Sequence, residues 1–229
     1  MTPEAAARGS GLTAHQIALR LSDGQRPSFT LTELNLSLAA GELLLLQGLS
    51  GCGKSTLLQA LARLIPLQTG GLYLDGLAAA GIPPSSWRTR VSLLHAEPLL
   101  VDGSLADNLL LPWRFKALQH LAPPPPEDLR EGLAALGLDD AHLQADIRGF
   151  SSGQTARITL LRNLLMRPAF LLLDEPAANL DPESAQRVWR LLEAQRSQTG
   201  CGMICVSHHR RGLAPDRVLR LRNGRLKEG

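Results

Sequence analysis

Aromatic side chains are scarce in this 229-residue chain: three Trp, four Phe and one Tyr, 3% of the whole. A protein that grips single-stranded nucleic acid by stacking its bases needs more than that. Six arginines gather near the C-terminus (Arg210, Arg211, Arg217, Arg220, Arg222 and Arg225) with no aromatic residue between them. They read as a solvated face, and no nucleic-acid partner is expected. Cysteine is almost absent too, and Cys52, Cys201 and Cys205 match neither a disulfide framework nor a metal-ligand spacing. No stretch reaches the roughly 20 consecutive apolar residues needed to span a bilayer. Met1–Gly11 lacks the apolar core of a secretory signal. The expectation is a cytosolic protein, held at a membrane only through a partner. Lysine is the rarer cation, three against 21 arginines.

One of those three lysines sits in the most informative segment. Residues 48–56 read Gly-Leu-Ser-Gly-Cys-Gly-Lys-Ser-Thr, a phosphate-binding loop of the form G-x-x-x-x-G-K-[ST]. It follows the apolar run Leu43–Leu46 and leads into the helical stretch Leu57–Leu61. In that strand–loop–helix setting, Gly48, Leu49, Ser50, Gly51, Cys52, Gly53, Lys54, Ser55 and Thr56 wrap polyphosphate oxygens with backbone N–H groups, helped by the helix N-terminus. Lys54 reaches the β- and γ-phosphates, and Ser55 offers its hydroxyl to Mg²⁺. Cys52, inside this loop, is the thiol whose modification is expected to block the ligand. Cys201 and Cys205 flank an apolar strand and read as packing residues.

A composition of 44% hydrophobic and 20% charged residues with a net charge of +3 is globular, and the length suits one domain with an inserted lobe. Alternation at Ile17, Leu19, Leu21 and at Leu34, Leu36, Leu38 predicts two early strands. Further strands are expected at Leu43–Gln47, Arg90–Leu94, Phe170–Leu173 and Met203–Ser207, with a short strand and turn at Leu72–Gly76. Helices are expected at Ser104–Leu110, Glu127–Leu136, Ser152–Met166 and Pro182–Thr199. Pro123–Pro126 reads as an extended linker, and Asn223-Gly224 as a hairpin turn. Strands alternating with helices predict a parallel sheet covered on both faces.

Phe170–Leu173 ends in Asp174-Glu175, and ligands of such sheets sit at the carboxyl ends of strands. Asp174 is placed to hold Mg²⁺ and Glu175 to polarise an attacking water. With these residues in hand, the chain resembles the nucleotide-binding subunits of ABC transporters over nearly its whole length. Phe150-Ser151-Ser152-Gly153-Gln154 resembles the family's Leu-Ser-Gly-Gly-Gln signature, Ala178-Asn179-Leu180-Asp181 its dimer-contact loop, and Ser207-His208 its switch histidine.

The resemblance implies an α/β fold: a P-loop NTPase (RecA-like) core, an N-terminal antiparallel β subdomain and an inserted helical subdomain. It implies one ABC ATPase domain over residues 12–229, the lobe inserted at about 96–150, and residues 1–11 as a flexible tail. ATP and Mg²⁺ are the implied cofactors. Lys54, Glu175 and His208 are the implied catalytic residues, Ser55 and Asp174 the metal ligands. It implies that Ser151 and Gly153 face the γ-phosphate across a head-to-tail homodimer, with Gln154 a further nucleotide-binding residue. A separate transmembrane permease is the implied partner, at the cytoplasmic face of the inner (plasma) membrane.

Two positions depart from the family. Ala96 stands where a glutamine normally reaches Mg²⁺ and water, which predicts slow turnover, with His95 or Glu97 as substitutes. No aromatic residue lies in Ala18–Leu21 to stack adenine, so Arg20 is the alternative and base selectivity is expected to be loose. The stretch Asn108-Leu109-Leu110-Leu111-Pro112-Trp113 resembles the ATP-binding subunits of iron-efflux ABC systems. Trp113, Phe115 and the preceding leucines either line the groove that receives the permease or pack the lobe's core. The other readings are a soluble ABC ATPase of DNA maintenance or translation and a non-catalytic nucleotide-responsive module. A single cassette and a 55-residue step from Ala96 to Ser151 disfavour the former; Glu175 and His208 disfavour the latter.

Overall fold

The computed structural model describes residues 11–21, 29–207 and 214–229. Two sheets carry the fold. β1 (Leu12–Leu21), β2 (Phe29–Leu38), β4 (Thr69–Leu74) and β5 (Leu77–Ala78) make an antiparallel sheet in the order β2-β1-β4-β5. The second sheet runs β10-β9-β3-β8-β7-β6. In it β3 (Leu43–Gln47), β6 (Val91–Leu94), β7 (Phe170–Asp174), β8 (Gly202–Val206) and β9 (Arg217–Arg222) are parallel, and β10 (Arg225–Glu228) closes the edge antiparallel.

The central strands are near-continuous apolar runs because both faces are covered. Leu44, Leu46, Phe170, Leu172, Ile204 and Val206 face a core shared with α1 (Lys54–Leu61) and the antiparallel sheet. Leu43, Leu171, Leu173, Met203 and Cys205 face the opposite core. That second core is shared with α3 (Leu105–Leu109), α4 (Pro126–Ala135), α5 (Ser152–Leu165) and α6 (Pro182–Thr199). The period of two thus divides each strand between two cores.

Most helix ends follow local rules. Ser104 caps α3 in a reciprocal box with Asp107, and Asp181 caps α6 through the Ser184 N–H. Pro126 opens α4 instead of ending a linker, since its missing N–H costs nothing at a helix's first position. Asn223 and Gly224 take φ 50° and 73°, as a two-residue hairpin turn between β9 and β10 requires.

Differences from the expected elements have local causes. Arg90 ends a helix, α2 (Pro84–Arg90), that hydrophobic periodicity does not announce. Trp87, wholly buried, holds it by donating its indole N–H to the Leu61 carbonyl at 2.9 Å. α1 starts at Lys54, inside the motif, ahead of the leucines that predicted it. Gly11, placed in the tail by the sequence, is buried and donates its N–H to Asp75 at 3.0 Å. In the lobe Leu105 and Leu109 are core residues, whereas Phe115 is 61% and Leu99 76% exposed.

Candidate nucleotide site

β3 delivers the chain to Gly48 at the carboxyl edge of the parallel sheet. A β-carbon on Gly48 would lie 2.6 Å from the Leu221 carbonyl oxygen and 2.6 Å from Cys52 Sγ, so only glycine fits. Gly51 and Gly53, at φ 74° and 97°, turn the loop through left-handed backbone that side chains disfavour. Gly53 then starts α1 without any side-chain cap and with no acidic residue in the first turn. The first N–H groups of α1 are therefore left for an anion. Lys54 is folded over this cradle, its Nζ donating to the Gly48 and Leu49 carbonyls at 3.0 Å each. Leu49, Ser50, Gly51 and Ser55 are exposed; Cys52 and Thr56 are half-buried.

Asp174 ends β7, and β8 separates β7 from β3. The two loops therefore rise from the same edge two strand spacings apart, about 10 Å. Asp174 as a residue is only 7% exposed, at the carboxyl end of β7. A carboxylate at that edge, with the Ser55 hydroxyl at the start of α1, is a hard-oxygen donor set suited to a cation such as Mg²⁺. Glu175 follows in left-handed backbone, φ 53°, with its N–H held by the Val206 carbonyl at 3.0 Å. That conformation costs about 1–3 kcal/mol for a non-glycine residue and recurs at functional sites. β8 ends at Val206, so Ser207 leaves the sheet between the phosphate loop and Asp174-Glu175. His208 lies outside the described residues.

The signature segment stands elsewhere. Ser151 caps α5, accepting from the Gln154 N–H at 3.3 Å while its own N–H donates to Gln154 Oε1 at 2.8 Å. Gln154 is thus engaged in the cap, and Ser151 is exposed at the helix's open end. Ser152 is outside the set of residues with positive φ, so serine replaces glycine there without strain. A β-carbon on Gly153 would meet Leu180 Cδ2 at 3.3 Å, which ties the signature to the loop after Glu175. α1 packs on one face of the parallel sheet and α5 on the other. Within one chain, then, Lys54, Ser55, Asp174 and Glu175 gather at one place, and Ser151 and Gly153 at another.

At the end of β6 His95, Ala96 and Glu97 are all exposed. Arg20 is exposed near the end of β1, and Tyr73 pairs with Thr13 near the start of that strand. Cys201 and Cys205 are buried; burial pushes the Cys201 thiol up to about 12. Cys205 is raised by burial first and then by the charges of Asp174 and Glu175. Both are packing residues. Among the described residues no three His, Cys, Asp or Glu side chains converge on a metal-sized space.

Sequence reasoning missed two supports. Ser92 Oγ donates to Asn163 Oδ1 at 2.6 Å, and Asn163 Nδ2 donates to the Thr159 carbonyl at 2.8 Å, joining β6 to α5. In addition, backbone bonds from Leu105, Ala106 and Ile147 to Ala145, Leu143 and Gly103 tie the segment before the signature to the start of α3. Small polar residues inside apolar elements were the only signal for the first; nothing local marks the second.

The ABC transporter family profile matches residues 31–178. The chain belongs to the ABC transporter family. It is 35% identical over 178 residues to the Escherichia coli K12 protein named "Probable iron export ATP-binding protein FetA", covering 78% of this chain and 77% of that one. It is 33% identical over 207 residues to the Hyphomonas neptunium phosphonates import ATP-binding protein PhnC (85% and 78% covered). It is 31% identical over 226 residues to the Bordetella avium lipoprotein-releasing system ATP-binding protein LolD (96% and 97%). A solved ATP-binding cassette, a dimeric post-hydrolysis state bound to ADP and Pi, superposes with a TM-score of 0.80 at 22% identity, covering 95% of this chain and 97% of that one. This last likeness establishes the fold. The chain is an ATP-binding subunit of the ABC family, an ATPase of the kind coupled to transport. Such subunits work with membrane permease components, and no described helix is long and apolar enough to cross a membrane.

Proposed function

We propose that two copies of this chain close head to tail on Mg·ATP and drive a separate permease that exports a metal of the iron type. The observation that carries the dimer is the division of the site over opposite faces of one sheet. A second copy related by a two-fold axis brings its Ser151 and Gly153 to the phosphates held by the first. Lys54 and the loop amides bind the β- and γ-phosphates, Glu175 polarises the attacking water, and His208 senses the γ-phosphate. The Asp174 carboxylate together with the Ser55 hydroxyl fits Mg²⁺, a hard cation content with few protein oxygens. When bound, Mg²⁺ supplies neutralisation of phosphate charge. Arg20 takes the place of a stacking aromatic at the base.

The exposed Leu99 and Phe115 on the lobe fit a permease segment, which supports a subunit held at the cytoplasmic face of the plasma membrane. The iron-type reading is supported by the Asn108–Trp113 stretch and by the relative named for iron export. Glu175→Gln in saturating Mg·ATP is expected to shift the protein from monomer to dimer in light scattering, while wild type hydrolyses ATP. A protein that stays monomeric even beside its permease refutes the shared site. Metal content of cells expressing the subunit with its permease tests the cargo: iron unchanged by Glu175→Gln rules out the export reading.

A further inference from the structure

Charge is unevenly divided between the lobe and the rest of the chain. Residues 96–150 hold nine carboxylates against four Lys and Arg, in a chain whose net charge is +3. Part of the opposing charge stands on the β9–β10 ribbon. Arg220 and Arg222 alternate with Leu219 and Leu221, which face the core of α1, so the arginines take the other face of the sheet. The register sets Arg225 opposite Arg222 and Lys227 opposite Arg220, and all four are exposed. Like charges directly opposite one another weaken a strand pair, so this arrangement does not serve the isolated subunit. Arg225 lies 3.9 Å from Glu33 with both side chains mostly exposed, a surface pair of little worth.

The ribbon stands beside the phosphate loop. Gln47 is level with Arg220 in the β3–β9 ladder, and a β-carbon on Gly48 would lie 2.6 Å from the Leu221 carbonyl oxygen. Arg222 therefore ends β9 alongside Leu49, itself 81% exposed, with Arg225 across the hairpin turn. The lobe's carboxylates gather by the signature instead. Asp146 first, and Asp102 as well, raise the pKa of Arg148, just ahead of Ser151. Arg157, in the second turn of α5, donates to the Leu136 carbonyl at 2.8 Å, which holds the chain leading into the exposed Asp139-Asp140 against the signature helix. The lobe leaves the sheet at the end of β6, five strand spacings or about 24 Å from β10. That is about three screening lengths at physiological salt, too far for a subunit's own lobe to neutralise its ribbon.

We infer that the acidic lobe of one copy docks on the Arg222 and Arg225 ribbon of the other, an electrostatic seam flanking each shared nucleotide. A two-fold axis that carries Ser151 and Gly153 of one copy to the phosphate loop of the other also carries Asp102, Asp139 and Asp140 toward the cations beside that loop, twice per dimer. Opposite charge on patches that meet speeds encounter and fixes register, with an effect that falls as salt rises.

The inference rests on the proposed head-to-tail dimer, and the test separates the two. All variants carry Glu175→Gln, and association in saturating Mg·ATP is followed by stopped-flow light scattering. Raising salt from about 20 mM to about 500 mM shortens the screening length from about 20 Å to about 4 Å. Arg222→Gln with Arg225→Gln is expected to slow association about tenfold or more at low salt and little at high salt. The Tm of the monomer is expected to hold or rise as the cross-strand repulsion goes. Exchanging the charges, with Arg222→Glu and Arg225→Glu set against Asp139→Lys and Asp140→Lys, is expected to restore the rate that either reversed pair alone loses. Association indifferent to these reversals overturns the inference while the dimer stands. So does an equal loss at both salt concentrations, or an equal fall in the monomer's ATP affinity, which makes the arginines part of the phosphate site. Binding to anionic phospholipid vesicles that is lost in the Gln variant, with the association rate unmoved, overturns it in favour of a lipid contact. A Glu175→Gln protein that never dimerises refutes the proposed function, and the seam with it.

Discussion

Replacing Ser92 by alanine tests the joint between β6, which ends at Leu94, and the helix that begins at the signature. Ser92 is 4% and Asn163 8% exposed, so water cannot replace the 2.6 Å bond between them. The substitution removes one oxygen and opens almost no cavity; the loss is that of a buried acceptor, Asn163 Oδ1, left without its donor. Such a group costs about 1–3 kcal/mol. For a domain of this size each kcal/mol lowers Tm by roughly 2–4 °C, so the fall is about 2–12 °C. Adding Asn163→Leu removes the stranded acceptor and fills its space with apolar atoms, which is near neutral relative to wild type. The double variant is therefore expected to be more stable than Ser92→Ala alone. Urea midpoints of the four proteins in the cycle supply the coupling. A single variant within about 0.5 kcal/mol of wild type, or a double variant weaker than the single, refutes the reasoning.

The other expectations are simpler. Alkylation is expected at Cys52 alone, because Cys201 and Cys205 are buried; bulk against Gly48 blocks nucleotide binding and ATP protects the thiol, so unchanged affinity after complete modification of Cys52 would falsify the contact. Ala96→Gln is expected to raise ATP turnover by about tenfold or more by adding a metal-shell amide, and an unchanged or lower rate counts against that. Asp146 bonds the Arg148 side chain and backbone N–H, which lower its pKa from 3.8 to about 2. Its folded value lies below its unfolded one, so this contact stabilises above about pH 4 and is lost as pH falls through about 2. Carboxyl NMR should find that midpoint, and Arg148→Ala should move it back toward 3.8.

Wherever chemistry depends on residues close together in sequence, the chain could be read directly. The phosphate loop, the apolar run ending in Asp174-Glu175 and the Asn223-Gly224 turn are local patterns with local causes: left-handed glycines, a buried strand and a two-residue hairpin turn. The same holds for the four longer helices and the central strands, whose hydrophobic periods coincide with burial on two faces. α2 escaped because a seven-residue helix held by one buried tryptophan has no period to show.

Only the tertiary structure decided what stands beside what. Strand order β3-β8-β7-β6 is a matter of which apolar faces pack, and it alone brings Gly48–Ser55, Ser207, Asp174 and His95 to one edge. It also separates Ser151 and Gly153 onto the opposite face, a division invisible in a string of motifs. Sequence names the groups that can hold a phosphate because backbone sterics and hydrogen-bonding capacity are properties of a few neighbouring residues. Placing those groups together, or apart, takes the burial of two cores by strands more than a hundred residues distant, which no short pattern encodes.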